Sequence, residues 1–160
     1  MTKLVLHLGS NLGARNRYLR QARTAITERV GPVIAHSPIY ETSAWGLEDQ
    51  RDFLNIALLV ETERTPHEVL TICQSIEKDL GRERIVKWGS RTVDIDLIFY
   101  GDLVLKTPNL ILPHPLFAER RFVLAPLADV VPQWQDPRSG RSVQVLLMAC
   151  KGTGWVKRVV

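Results

Sequence analysis

Two aspartates separated by a single residue, Asp94 and Asp96, lie in the segment Thr92-Val93-Asp94-Ile95-Asp96-Leu97-Ile98-Phe99-Tyr100. Val93, Ile95, Leu97 and Phe99 alternate with Asp94, Asp96 and Ile98, the period-two pattern of a strand. Side chains two apart on a strand share a face, so the two carboxylates project together, with Cα atoms roughly 6–7 Å apart. Adjacent carboxylates on a β-rich segment are costly unless positive charge sits between them. A divalent cation can supply that charge, and hard oxygen donors beside phosphate-seeking cations suit Mg²⁺. A lone D-x-D is more often a solvent-facing pair on an edge strand. The flank changes the balance: Arg82, Arg84, Lys87 and Arg91, with Lys78 just before, lead into the doublet, and Trp88 stands among them. Arginine presents planar, bidentate donors for phosphate oxygens. A cationic loop feeding a metal-holding doublet is the arrangement that phosphoryl or nucleotidyl transfer needs, because that chemistry depends on positioning and charge neutralisation.

The elements that must position these groups are legible in order. Leu4 to Leu8 is a short apolar strand, followed by a turn, Gly9-Ser10-Asn11-Leu12-Gly13, and a basic helical stretch to about Val30. The turn lacks Gly-Lys-Ser/Thr and G-x-G-x-x-G, so it reads as a tight turn with Asn11 or Ser10 capping the helix rather than a phosphate loop. Gly31-Pro32 stops that helix. Val33 to Tyr40 reads as a second strand interrupted by Pro38, and Glu41 to Asp52 as a polar loop whose length points to a mobile or binding segment. Phe53 to Thr62 is a third strand, with Leu54, Ile56, Leu58 and Val60 on one face and Phe53, Asn55, Ala57 and Leu59 on the other.

Thr65-Pro66 opens a second helix that runs to about Leu80, where Gly81 ends it. Its stripe is Val69, Ile72, Cys73, Ile76 and Leu80, which leaves Gln74 and Glu77 reading as a solvated face. After the Asp94 strand, Leu103–Leu105 and Leu110–Leu112 read as a hairpin, and Pro113-His114-Pro115 as a rigid corner. His114 there either caps a backbone group or contacts phosphate. Phe122–Leu127 is apolar, 131–140 a Pro/Gly-rich loop, and Ser142 to Cys150 a last helix.

Length and composition set outer bounds. The 160 residues predict one domain, 1–160, with enough apolar residues for a core. A net charge of +4 is too mild to imply nucleic acid. No run reaches the length of a membrane span, and no signal sequence is evident, so a cytoplasmic, monomeric protein without membrane or nucleic-acid partners is expected. Cys73 and Cys150 fit no metal spacing and are expected to be reduced.

Several motifs together resemble the 6-hydroxymethyl-7,8-dihydropterin pyrophosphokinase family of folate biosynthesis. They are Leu8-Gly9-Ser10-Asn11-Leu12-Gly13, Tyr40-Glu41-Thr42, Phe53-Leu54-Asn55, Ile76-Glu77 with Gly81-Arg82, Trp88 to Leu97, and Leu112-Pro113-His114-Pro115 with Arg120-Arg121-Phe122. The resemblance implies a ferredoxin-like α+β fold, an antiparallel sheet with helices on its faces. It also implies transfer of diphosphate from ATP to a reduced pterin alcohol with release of AMP, assisted by two Mg²⁺ ions held by Asp94 and Asp96. By position, Gln74, Glu77, Arg82, Arg84, Trp88, Arg91, Leu97, His114 and Arg120 match the family's ATP side. Thr42, Ser43, Trp45, Phe53, Asn55, Trp88, Asp94 and Phe122 match its pterin side. Arg82, Arg91, Asp94 and Asp96 are the expected catalytic set. Two other readings compete: a different two-metal nucleotidyltransferase, and a non-enzymatic RNA-binding module on a ferredoxin-like sheet.

Overall fold

The computed structural model describes residues 1–42, 52–81, 92–152 and 154–159. The chain runs β1 (Thr2–Ser10), α1 (Arg15–Arg29), β2 (Val33–His36), β3 (Tyr40–Thr42), β4 (Phe53–Thr62), α2 (Pro66–Asp79) and β5 (Asp94–Tyr100). A small hairpin follows, β6 (Leu105–Lys106) and β7 (Ile111–Leu112), then a 3-10 turn (Phe117–Glu119), α3 (Arg121–Val130), α4 (Val143–Ala149) and β8 (Val156–Arg158). Among the described residues the main sheet is antiparallel, in the order β5-β1-β4-β3-β8, with β2 also on β4. The β-α-β-β-α-β order and this strand sequence are those of a ferredoxin-like α+β sheet, as expected.

The sheet is covered on both faces because both strand faces are apolar over part of their length. Leu4, Leu6 and Leu8 of β1, Leu54, Ile56, Leu58 and Val60 of β4, and Ile95 and Leu97 of β5 pack under α1 and α2. Leu19, Ala22 and Ile26 answer from α1, and Val69, Cys73 and Ile76 from α2. The second helix starts as its residues dictate. Thr65 accepts from the Glu68 N–H while Glu68 accepts from the Thr65 N–H, and Pro66 occupies the first helical position. On the other face Val5, Ala57, Ile98 and Phe99 meet Val123, Leu124 and Leu127 of α3 and Val143 and Leu146 of α4. This second layer covers only one end of its face. At the other end, on the same side of the pleat, His7, Gly9 and Asn55 are buried, His7 against Phe122 of α3, while Asp94 and Asp96 on the edge strand are half-buried.

Several expectations are corrected here. The β1 strand continues through Gly9 and Ser10, so these residues are paired rather than in a turn. Neither Ser10 nor Asn11 caps α1; Ala14 is at the cap position, without a side-chain cap. The expected strand from Val33 to Tyr40 is two strands on the same edge of β4. Pro38 cannot donate to a ladder, and Ser37 patches the break: its N–H donates to the Ala57 carbonyl (2.9 Å) and its Oγ accepts from the Ala57 N–H (2.9 Å). Glu41 and Thr42 therefore belong to β3 and not to the following loop.

In β5 the strict alternation fails at Ile98. The register with β1 slips between Val5 and Leu6, which face Phe99 and Leu97, so Ile98 is the extra residue of a bulge. Phe99 consequently packs with the second layer instead of sharing a face with Ile95 and Leu97. The hairpin pairs Leu105 with Leu112 and Lys106 with Ile111, leaving Leu103 and Val104 outside it. Phe122–Leu127 lies within a helix. The tail holds β8, which no periodicity announces.

Candidate active site

Asp94 and Asp96 sit on β5, the edge strand, opposite Gly9 and His7 of β1. Between them Ile95 turns its side chain into the core beneath the helices. Its N–H points to the outer side of the edge strand, where no further strand among the described residues receives it. Glu77 of α2 does so: its Oε2 accepts from the Ile95 N–H at 2.8 Å. Glu77 is buried, so the solvated-face reading is corrected. A carboxylate replacing a missing strand fixes the backbone between the two aspartates from behind.

The donor set permits a test of metal chemistry. No cluster of three or more His, Cys, Asp or Glu that could cage a metal occurs among the described residues. Asp94 and Asp96 offer carboxylate oxygens on one face of an edge strand, both only half-buried. Such an incomplete oxygen set fits Mg²⁺, which keeps waters and takes further ligands from substrate phosphates.

On the β4 side of the doublet, Asn55 is 1% exposed and donates through Nδ2 to Thr42 Oγ1 at 2.8 Å. Thr42 and Phe53 are cross-strand partners. Having no side chain, Gly9 lets this corner close in: a Cβ there would lie 3.2 Å from Asn55 Oδ1 and 3.6 Å from Phe53 Cδ1. Phe122, in the first turn of α3, reaches the same face. His7 packs edge-on against its ring at 6.0 Å and donates from Nε2 to its carbonyl oxygen at 3.2 Å. The Arg120 guanidinium lies 5.8 Å from the centre of the same ring, within cation–π range. His7 is 3% exposed, and burial above all pulls its pKa down to about 4, with His114 and Arg120 adding to the fall against the Phe122 bond. It is a neutral imidazole at pH 7.

On the other side of the edge strand lies a cleft of about 250 Å³ with Leu70, Leu97 and Leu110 on its walls beside Asp96 and His114. Gln74 is exposed one turn after Leu70 on α2, beside this cleft. The His114 backbone N–H donates to the Ile98 carbonyl at 3.0 Å, at the β5 bulge. Its ring Nδ1 accepts from the Leu116 N–H at 3.1 Å. The imidazole thus caps a backbone group. Burial chiefly, then Arg120 and Arg138, lower its pKa to about 4, so it is neutral and Nε2 carries the proton. Capping and phosphate contact are therefore compatible roles for the two nitrogens.

The described structure brings Thr42, Phe53, Asn55, Asp94, Asp96 and Phe122 to one sheet face, and Leu97 and His114 to the adjoining cleft. Ser43, Trp45, Arg82, Arg84, Trp88 and Arg91 lie outside the described residues. Sequence reasoning missed His7, whose one signal was its place two residues before Gly9 in an otherwise apolar strand. It also missed Arg15, whose Nη1 donates to the Asp52 carbonyl at 2.7 Å and lies 3.4 Å from Glu41 Oε2.

A ferredoxin-like sheet with an acidic doublet on its open face, between an aromatic corner and an apolar cleft, is the frame of an α+β phosphate-transfer enzyme. The chain belongs to the 7,8-dihydro-6-hydroxymethylpterin-pyrophosphokinase (HPPK) family, whose model matches residues 5–132. It is 46% identical over 127 residues to the 2-amino-4-hydroxy-6-hydroxymethyldihydropteridine pyrophosphokinase of Bacillus subtilis, covering 79% of this chain and 76% of that one. The enzyme of the same name from Aquifex aeolicus is 39% identical over 137 residues, covering 86% and 85%. A crystal structure of Plasmodium falciparum HPPK-DHPS with pteroate superposes with a TM-score of 0.75 at 15% identity, over 92% of this chain. That likeness is one of fold, and this chain spans 42% of that longer protein. No helix among the described residues is long and apolar enough to cross a membrane.

Proposed function

We infer that this chain carries out the reaction of its family, moving the β,γ-diphosphate of ATP onto the hydroxymethyl oxygen of 6-hydroxymethyl-7,8-dihydropterin and releasing AMP. The observation that carries this reading is the placement of Asp94 and Asp96 on one sheet face, with the Asn55–Thr42 pair on one side and the cleft lined by Leu70, Leu97 and Leu110 on the other. A flat heterocycle fits the Asn55–Thr42 corner. Phe53 and Phe122 flank it with rings for stacking, and Asn55 offers a donor and an acceptor side by side to the pterin edge. The apolar walls of Leu70, Leu97 and Leu110 suit the adenine base, and Gln74 is exposed on α2 one turn after Leu70. The triphosphate then spans the doublet between the two.

In this reading the pterin hydroxyl attacks the β-phosphorus in line. A new O–Pβ bond forms, the hydroxyl O–H bond breaks with its proton passing to water, the bond from Pβ to the α–β bridging oxygen breaks, and its electron pair leaves on AMP. Asp94 and Asp96 would hold two Mg²⁺ ions, whose charge would neutralise the transferring group and the departing phosphate. Asp94 orients the attacking hydroxyl. His114 donates from Nε2 to a phosphate oxygen, and Arg120 adds positive charge on the same side. By the resemblance, Arg82, Arg84 and Arg91 are assigned to neutralising phosphate charge, Trp88 to both substrates, and Ser43 and Trp45 to pterin binding. Glu77 acts from behind by holding Ile95. In this reading residues 1–160 act as one pyrophosphokinase domain and as a monomer.

The deciding experiment is product analysis by ³¹P NMR with Mg²⁺, ATP and the reduced pterin alcohol. AMP and a pterin diphosphate are expected. Release of pyrophosphate would instead support a nucleotidyltransferase, and absence of turnover with salt-sensitive RNA binding would support the RNA-binding module.

A further inference from the structure

The Pro113-His114-Pro115 corner brings His114 to the cleft beside Asp96, yet much of what grips it lies beyond residue 132, where the family match ends. Arg138 Nη2 donates to the Pro113 carbonyl at 2.9 Å and to the His114 carbonyl at 3.2 Å. Arg138 is itself set in a well-tied turn. Its backbone N–H donates to Asp136 Oδ1 at 3.0 Å, and Ser139 Oγ donates to Asp136 Oδ2 at 3.0 Å. Asp136 is 6% exposed, its N–H donates to the Arg141 carbonyl at 2.9 Å, and its own carbonyl accepts from the Gly140 N–H at 2.8 Å. Upstream, Trp134 stacks on Phe99 with ring centres 5.5 Å apart, tying the turn to the core beside the β5 bulge.

The corner is therefore held from two directions. The β5 bulge offers the Ile98 carbonyl to the His114 N–H, and the C-terminal turn offers a guanidinium to the two carbonyls on the other side. Both contacts are to backbone, so they set where the His114 ring stands without occupying it. The ring's Nδ1 is taken by the Leu116 N–H, which leaves Nε2 as the nitrogen able to donate. We propose that Arg138 is a positioning residue for the nucleotide, gripping the Pro113 and His114 carbonyls so that the His114 imidazole meets a phosphate oxygen of ATP. The proposal rests on reading the cleft as the nucleotide's site.

The test compares the wild type with Arg138→Ala and Arg138→Lys. The measurements are the Kd for Mg²⁺ with α,β-methylene-ATP, KM for each substrate, kcat and melting temperature. For Arg138→Ala, nucleotide Kd and ATP KM are expected to rise roughly three- to tenfold, the size of losing charged hydrogen bonds at the surface, with pterin KM unmoved. Lys, which donates to both carbonyls, is expected to restore most of the loss. Unchanged nucleotide Kd in Arg138→Ala overturns the proposal. So does equal weakening of both substrates with a lowered melting temperature, which marks a merely structural contact. Should Arg138→Ala not fold, Arg138→Gln carries the same comparison, with selective nucleotide weakening in favour and unchanged affinity against. A wild type that neither binds the nucleotide nor forms AMP defeats the reading of the site. A competent wild type with an unaffected variant defeats the role of Arg138 alone.

Discussion

Replacing Glu77 by alanine removes the acceptor of the Ile95 N–H and leaves that donor buried at the open side of β5. A hydrogen bond to a charged acceptor contributes about 1.5–3 kcal/mol, and an orphaned buried N–H costs a comparable amount rather than less. A loss of roughly 2–3 kcal/mol follows for Glu77→Ala. For a chain of this size each kcal/mol lowers the melting temperature by about 2–4 °C, so a fall of about 4–12 °C is expected. Glu77→Gln keeps an amide oxygen as acceptor, and its fall is expected to be less than half of that. The second consequence is functional. The Ile95 backbone lies between the metal-binding candidates, so loosening it lets the two carboxylates diverge. The Mg²⁺ concentration for half-maximal AMP formation is expected to rise several-fold in Glu77→Ala and little in Glu77→Gln. Calorimetric melting and a Mg²⁺ titration of turnover read both effects. Wild-type melting together with a wild-type Mg²⁺ titration in Glu77→Ala would refute the claim that this carboxylate substitutes for a missing strand.

Other outcomes follow from single contacts. Arg158 of β8 donates to Asp129 of α3 and to the Tyr40 hydroxyl, which itself donates to Asp129. This bundle joins β3, which carries Thr42, to α3, which carries Phe122, so Arg158→Ala is expected to raise pterin KM with nucleotide Kd unchanged. His7 has a folded pKa of about 4 against an ordinary 6.5, and its neighbours on the facing elements are Asp96, Phe122, Arg120 and His114. Below pH 6.5 the unfolded chain takes up a proton that the folded chain refuses, so this stability is full above 6.5 and falls toward pH 4. The drop is roughly 2 kcal/mol at pH 5, and denaturant midpoints for His7→Leu should lose that part of the acid dependence. Burial pushes the Cys73 thiol up to about 12, whereas Cys150 is half-buried. Iodoacetamide at pH 8 is expected to label Cys150 first and Cys73 only on unfolding, as read by mass spectrometry.

The doublet was legible because strand alternation is local: Asp94 and Asp96 need only their own period to share a face. The core was legible for the same reason, since the leucines of β1 and β4 each follow one template. What escaped depends on partners distant in sequence. The bulge at Ile98 arises from pairing with β1, and it carries Phe99 to the opposite layer against the sequence pattern. Glu77 looked solvated because its stripe position is marginal, and its burial depends on an N–H eighteen residues away. Phe122–Leu127 is too short an apolar run for period to separate strand from helix, and Pro126 obscured it further. Three-residue β8 exists only because β3 offers it an edge. Arg15 and Arg138 act through carbonyls, which no side-chain pattern reveals.

The central claim is that Asp94 and Asp96 together make nucleotide binding depend on magnesium. Isothermal calorimetry of α,β-methylene-ATP, with and without Mg²⁺, tests it in the wild type and in Asp96→Asn, a near-isosteric change that removes one charge. Strong Mg²⁺ dependence in the wild type and its collapse in the variant, with the melting temperature held, are predicted. Equal affinity and equal Mg²⁺ dependence in the two proteins would contradict it.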